Sequence, residues 1–311
     1  MYPIKFKNLY YQKIWGGRDL ENFRDNLPEG NIGESWDVAC HDNGMSIVLN
    51  GEFQGETLEE VIENQREKIV GNKLIGKKFP LLVKLINSKD KLSVQVHPDN
   101  DYAEKVEHSL GKTEAWYVVD AKEGAALIVG TKDCDKEKFK KAIENGETEK
   151  YLNKIPVKKG DCFLINSGLV HAICEGIIIA EIQQNSDITY RIYDYDRGRE
   201  LHINKALDVI NFDLKVENES NKVLEKCDGY SKSVLCNGDF FTIEKYVIED
   251  EVKSRSNEDE FFILTCTDGK GIVETEDGEK TDLLKGESIL IPAYLGNYLV
   301  RGNLTVLKTF I

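Results

Sequence analysis

Residues 84 to 116 read KLINSKDKLSVQVHPDNDYAEKVEHSLGKTEAW and concentrate side chains suited to chemistry. At their centre Leu92-Ser93-Val94-Gln95-Val96-His97 alternates apolar and polar residues with period two, the pattern of a half-buried strand. Side chains at i and i+2 share one face of a strand, which puts Ser93, Gln95 and His97 in a row. A neutral imidazole and an amide oxygen can both donate to a divalent cation, but two neutral donors do not hold one in water, and a carboxylate has to join them. Glu114, in the strand-like run GKTEAWYVV, and His171, in GDCFLINSGLVHAI, are the candidate partners. A lone His or Gln on such a strand is more often a satisfied polar residue, so only the combination argues for a metal site.

Several elements must position these groups. Asp99 opens a helical excursion between the two central strands. FPLLVKLI is a continuous apolar strand broken by Lys84, which sits either at a rim or in a polar site. Upstream, GESWDVACHDNG reads as a strand and turn and SIVLNGEF as another strand, while Thr57-Leu58-Glu59-Glu60 is a capping box opening a helix to about Ile69. Downstream come the strand AALIVGT, a helix opened by Asp135 and ended by Gly146, and the strands of IPVKKGDCFLINSGLVHAI. GIIIAEIQQNSDITYRIYDYDR follows as two strands or one broken one, and Asn204 caps a short helix KALDVINF.

Residues 215–229 are charged and poor in large apolar side chains, and read as a connection between residues 1–214 and a C-terminal unit, 230–311. That unit shows only strand patterns (FFTIEKYVI, EFFILTCT, GKGIVETEDG, ESILIPAYLGNYLV, LTVLKTFI), as in an antiparallel sandwich or barrel. VKKGDCFLINSG, residues 157–168, aligns with LLKGESILIPAY, residues 283–294, as a short internal repeat. The second copy has no counterpart of His171, and no histidine follows His202, so a metal centre would belong to the first unit alone.

Composition narrows the function. The chain has 311 residues, 41% hydrophobic and 31% charged, enough for a substantial core. Its net charge of -14 opposes non-specific binding to nucleic acid or anionic membranes, so an anionic substrate needs a local cluster of cations. Seven cysteines without a Cys-x-x-Cys pair suggest thiols in a reducing cytosol, and no run resembles a signal peptide or membrane span, so a cytoplasmic protein is expected.

GDCFLINSGLVH resembles the second motif of cupins, with Asn166 where proline is usual. The fuller resemblance, through IWGG, GESWDV, FPLLVKLINSKDKLSVQVHPD, GKTEAWYV, SGLVHAI and NSDITYRIYDYDR, is to type I phosphomannose isomerases in their short bacterial form, and it covers nearly the whole chain. It implies a mainly β fold of two cupin-type, jelly-roll barrels with a few helices inserted in and around the first. It further implies one zinc ion per chain, other divalent metals staying open, on Gln95, His97, Glu114 and His171. Arg191 matches an arginine with a catalytic role, and Lys84, Ser93, Lys112, Glu181 and Trp15 fall on positions lining the pocket in relatives. Longer relatives carry His-Lys-Pro-Glu where this chain has Gly111-Lys112-Thr113-Glu114, and their long helical insertion is absent.

The implied reaction interconverts mannose 6-phosphate and fructose 6-phosphate through an enediol or enediolate, an intramolecular oxidation–reduction in carbohydrate metabolism. Arg191 suits a developing enediolate or a phosphate, and Lys84 is the candidate for the phosphate. Glu181, in the apolar run IIIAEI, is the choice for the acid/base group because burial raises a carboxyl pKa, with Lys112 its rival. Glu181 as a structural partner of Arg191, and Trp15 as core rather than pocket wall, are the plainer readings. His41, His108 and His202 receive no chemistry, and the cysteines, Cys174 included, read as small buried hydrophobes. The alternatives are a non-catalytic double-cupin protein with a sugar-binding or regulatory role, and a metal-dependent dioxygenase. The expected partner is a sugar phosphate, without nucleic acid or membrane, acting on a monomer or homodimer.

Overall fold

A computed structural model of the protein describes residues 1–311 apart from Asn26, Lys222 and Val223. Strands dominate, and their antiparallel pairing builds six-, five- and nine-stranded sheets and a small hairpin. The six-stranded sheet runs Cys162–Ile165, Glu114–Ala121, Ile177–Gln184, Leu81–Ser88, Leu9–Gly17, Ile32–Val38. The five-stranded sheet runs Leu152–Pro156, Ala126–Thr131, His171–Ile173, Val94–Val96, Tyr190–Tyr193. Neither expected barrel is closed by hydrogen bonding, and the first unit is a sandwich of these two open sheets.

Both faces of the six-stranded sheet are covered, which explains its continuous apolar runs. Leu81, Val83 and Leu85, with Ala115, Tyr117, Val119, Ile178, Ala180 and Ile182, face outward into a core shared with the C-terminal unit. Alternate residues Ile86, Trp116, Val118, Ile177 and Ile179 face inward against Leu127, Val129 and Ile173 of the five-stranded sheet. Period-two alternation therefore directs Lys84, Glu114 and Glu181 into the gap between the sheets. On the other layer Val94, Val96, Ala172, Tyr190 and Ile192 pack outward against Phe139, Ala206 and Leu207 of two helices, turning Gln95, His171 and Arg191 inward.

The helices follow their caps. Asp99 accepts from Tyr102 N at the start of Asn100–Glu107, and Asp135 accepts from Lys138 N at the start of Lys136–Glu144. Thr57 and Glu60 form the capping box, but the helix expected to reach Ile69 stops at Gln65. Arg66 adopts φ 48°, and a separate turn Glu67–Val70 follows. That break lets the carbonyls of Lys68 and Ile69 accept from Tyr294 N and Ala293 N at 3.1 and 3.0 Å, contacts a straight helix would forgo.

Other elements also depart from expectation. SIVLNGEF forms only isolated bridges, Phe6 to Val48 and Ile47 to Thr57, because the Asn50 side chain binds Lys5 N and Pro3 O and Gly51 turns at φ 65° beneath the Tyr2 ring. Asn204 lies inside the helix Ile203–Val209 rather than capping it. The start is set by His202, whose N donates to Arg191 O and whose Nδ1 accepts from Arg191 N. Within residues 215–229, Glu225–Cys227 forms a short strand paired with Tyr230–Asn237.

In the nine-stranded sheet, EFFILTCT and GKGIVETEDG merge into the single strand Phe262–Thr275, bulged between Cys266 and Asp268, and NYLV and LTVLKTFI merge into Asn297–Phe310. Its own side chains enclose a core of Phe262, Leu264, Val273, Ile289, Val300 and Val306, so the sheet bends over itself. The internal repeat is structural, since Gly160 and Gly286 each turn at positive φ before the strands Cys162–Ile165 and Ser288–Ile291. Ile4–Lys5 pairs with this last strand, and Arg24 binds Asp37 at 2.6 Å and Gly286 O at 3.1 Å, stitching the N-terminal segment to the C-terminal unit.

Candidate metal centre and substrate cavity

Two rows of register-paired residues build the site. Across the five-stranded sheet His171 lies opposite Gln95 and Gln95 opposite Arg191. Across the six-stranded sheet Trp36, Lys84, Glu181 and Trp116 lie opposite one another in turn. Glu114, two residues before Trp116, projects from the same face toward the first row.

His97, Glu114 and His171 are fully buried, with ligand atoms within 4.8 Å of one another. His97 Nε2 stands 3.1 Å from His171 Nε2, and Glu114 oxygens stand 3.6 and 3.5 Å from these two nitrogens. Zinc bonds of about 2.0–2.1 Å at tetrahedral angles separate their donors by about 3.3 Å, which these spacings bracket. His97 Nδ1 donates to Ile188 O at 2.7 Å and His171 Nδ1 to Leu169 O at 2.9 Å. Those bonds place each ring proton on Nδ1 and leave two Nε2 lone pairs facing each other, an arrangement a cation stabilises. Burial, reinforced by the Lys112 charge, holds both imidazoles below their ordinary pKa, His171 at about 4, so they stay neutral.

Both Glu114 carboxylate oxygens are buried without an aligned hydrogen-bond donor, although Lys112 Nζ lies 2.8 Å from Oε2 as an ion-pair partner. A buried carboxylate with one lysine as its partner keeps unused acceptor capacity, and this one faces the two lone pairs. Gln95 Nε2 is 3.3 Å from His171 Nε2, and Oε1 is 3.4 Å from Ser93 Oγ. Half a turn of the amide exchanges the two atoms and presents the oxygen to the same point. The donor set of two imidazoles, a carboxylate and an amide thus fits a divalent cation.

Beside this centre lies a cavity of about 470 Å³. Trp15, Lys84, Ser93, Gln95, Lys112, Glu181 and Arg191 all line it, so each residue named from the sequence as a pocket or catalytic candidate reaches this cavity. Trp15 serves as core and wall at once, being 4% exposed and packed in the inter-sheet core. Lys84 points into the polar site rather than to a rim, its Nζ 3.4 Å from Glu181 Oε1 and 4.9 Å from the Trp36 ring centre. Glu181 is not bonded to Arg191, because Trp116 Nε1 donates to its Oε2 at 3.0 Å and Lys112 lies 3.8 Å from Oε1.

Burial, then the neighbouring Glu114 charge, raises the Glu181 pKa, while Lys112 and Lys84 oppose the rise. For Lys112 burial alone would lower the pKa, but Glu114 and Glu181 outweigh it and the ammonium is held more firmly protonated. Arg191 donates through Nε to Ser93 Oγ at 3.2 Å and through Nη1 to Glu200 O at 2.8 Å.

The sequence reading assigned no role to Glu34, Trp36 or Lys13, which also line the cavity. Lys13 Nζ pairs with Glu34 Oε1 at 3.0 Å, and Trp36 Nε1 donates to Oε2 at 2.9 Å. Burial would raise the Glu34 pKa, but Lys84 and Lys13 hold it at about 2. The signal was present, since Tyr11, Lys13, Trp15 and Glu34, Trp36 recur at i, i+2 in neighbouring strands.

Comparison with known proteins agrees with this geometry. Residues 4–139 match the family described as phosphomannose isomerase type I, catalytic domain, and residues 231–311 match mannose-6-phosphate isomerase, cupin domain. The chain is 38% identical to the mannose-6-phosphate isomerase of Streptococcus mutans, over 99% of this chain and 98% of that one. The chain belongs to the type I phosphomannose isomerase family. A Bacillus subtilis mannose-6-phosphate isomerase is 37% identical over 96% of each chain. A crystal structure of the mannose 6-phosphate isomerase from Bacillus subtilis superposes with a TM-score of 0.93 at 35% identity, covering 100% of both chains. A phosphomannose isomerase variant from Salmonella typhimurium, 14% identical, shares the fold with a TM-score of 0.81, covering 99% of each chain.

Proposed function

We propose that this member of the family interconverts mannose 6-phosphate and fructose 6-phosphate with zinc as its resident ion. The observation that carries the reading is the meeting of two unprotonated Nε2 atoms and the buried Glu114 carboxylate beside a cavity walled by buried cations and acids. Gln95, His97, Glu114 and His171 would hold the ion, which when bound supplies Lewis acidity toward a substrate oxygen.

The chain's own groups suit the rest of the reaction. Moving hydrogen between C1 and C2 needs a base to take a proton from one carbon and return it to the other. Glu181 fits, because its raised pKa brings it toward the range where a carboxylate both accepts and returns a proton. Lys112, held protonated, suits hydrogen-bond donation to an enediolate oxygen rather than proton abstraction. Arg191 reaches over Ser93 toward the same space and adds a second fixed positive charge, a contact worth about 3–4 kcal/mol when it acts only in the transition state. Lys84, Ser93 and Trp15 form the surrounding substrate wall.

We place the enzyme in the cytoplasm, where a sugar-phosphate isomerase meets its substrate. Among the described residues no helix is long and apolar enough to cross a membrane. The test is a coupled assay on mannose 6-phosphate with the protein as purified, after chelation, and after adding zinc back. Turnover that disappears and returns supports the isomerase; none in the zinc-loaded protein points to a sugar-binding or regulatory relative.

A further inference from the structure

At the mouth of the cavity three arginines surround one buried acid. Asp194 accepts from Arg199 Nε at 3.0 Å and from Arg199 Nη2. It also accepts from Arg197 Nη2 at 3.0 Å. Arg197 spends its remaining nitrogens on backbone, Nε on Asp194 O and Nη1 on Lys91 O, so it acts as a strut. Arg199 differs. The bidentate clamp uses one edge of its guanidinium, Nη1 has no hydrogen-bond partner among the described residues, and the side chain lines the cavity with Arg191.

The charge balance separates this mouth from the interior. Within the cavity Lys13, Lys84 and Lys112 each lie against Glu34, Glu114 or Glu181 and are compensated there. At the mouth Arg197 and Arg199 share Asp194 as their hydrogen-bonded carboxylate, Arg191 is bonded only to Ser93 Oγ and Glu200 O, and after burial the Arg199 charge is the main influence lowering the Arg191 pKa. Two guanidiniums that repel across the entrance of a protein with net charge -14 form the local cationic cluster an anionic ligand needs.

We infer that Arg199, oriented by Asp194, is the anchor that recognises the phosphate group of the substrate. The inference rests on the isomerase reading and moves phosphate recognition from Lys84, held against Glu181, to the mouth, where Arg191 has no bonded carboxylate and Arg199 keeps Nη1 unbonded among the described residues. A planar fork whose far edge is fixed by a carboxylate presents its free N–H groups to phosphate oxygens at little entropic cost. Asp194 is a positioning residue, only 3% exposed, that acts through Arg199.

The test compares R199Q, R199K and D194N with the native zinc enzyme, reading kcat and KM for mannose 6-phosphate, kcat/KM for unphosphorylated mannose, and competitive inhibition by inorganic phosphate. A lost charge-assisted contact corresponds to roughly a 10- to 100-fold change. R199Q should raise KM and weaken phosphate inhibition by that factor with a much smaller fall in kcat, and lower the preference for phosphorylated over free mannose in parallel. R199K should recover part of both, and D194N, which keeps the cation but frees it, should show a smaller rise in KM. Native KM and phosphate inhibition in folded R199Q, or a loss confined to kcat, overturns the assignment. If the native protein turns over no mannose 6-phosphate, the isomerase reading fails instead; calorimetric binding of inorganic phosphate to native and R199Q protein then decides Arg199 separately.

Discussion

Replacing His171 with alanine tests the metal centre through stability as well as activity. The imidazole is fully buried, donates to Leu169 O, faces His97 Nε2 at 3.1 Å and meets the Trp116 ring edge-on with centres 5.3 Å apart. An ion bound only by the folded chain stabilises it by about 4 kcal/mol when free zinc is a thousandfold above Kd. For a cooperative chain of 311 residues the unfolding entropy is about 0.65 kcal/mol per kelvin, so zinc should raise Tm by about 6 °C over the chelated protein. His171→Ala leaves a cavity costing about 2 kcal/mol, partly offset by removing one of two opposed lone pairs. Its distinguishing effect is that the zinc-dependent increment falls below about 1 °C and activity disappears. Calorimetry with and without chelator, beside elemental analysis, reads this. Trp15, Trp36 and Trp116 all lie in the first unit, so their fluorescence reports that unit while circular dichroism reports the remaining sheet. A variant that keeps stoichiometric zinc, or the full increment, refutes the assignment of His171 as a ligand.

Arg191→Ala should retain its zinc and lose about 100- to 1000-fold in kcat, as expected for a donor acting on developing charge; a change in KM alone would make Arg191 a substrate anchor. Glu181→Gln should cost about 100- to 10,000-fold and flatten the acid side of the rate profile, where activity rises as the carboxyl deprotonates; an unchanged profile would return the proton transfer to another group. Stability should depend on Glu34. Its folded pKa of about 2 is depressed, so its contribution, at most about 3 kcal/mol, is fully present above an unfolded pKa near 4.5 and is lost as pH falls toward 2. Glu34→Gln should shallow that loss in denaturant titrations across the window, and parallel curves for the two proteins would count against the pairing with Lys84 and Lys13.

Much of the site was legible because period two is strict. Once residues 92–97 are a strand, Ser93, Gln95 and His97 must share a face, and a charged residue in a doubly covered strand, such as Lys84 or Glu181, must be held by an opposite charge or face a polar space. Capping at Thr57, Asp99 and Asp135 was equally local, since each side chain reaches a backbone N–H only three residues away. What the sequence by itself determined was therefore the strand faces, the helix starts, and a set of donors of the right chemistry.

Only the tertiary structure decided how distant strands align and where long-range contacts override local pattern. The register that sets His171 opposite Gln95 and Trp116 opposite Glu181 depends on pairing between segments some 65 to 76 residues apart. Contacts with Tyr294 and Ala293 break the helix after Gln65, and His202, bonded to Arg191, displaces Asn204 from its expected cap. The division of labour among cations was likewise hidden, because whether a lysine or an arginine is free to meet substrate depends on which carboxylate lies beside it. Coulombic compensation is set by distance through space, which residue spacing along the chain does not encode.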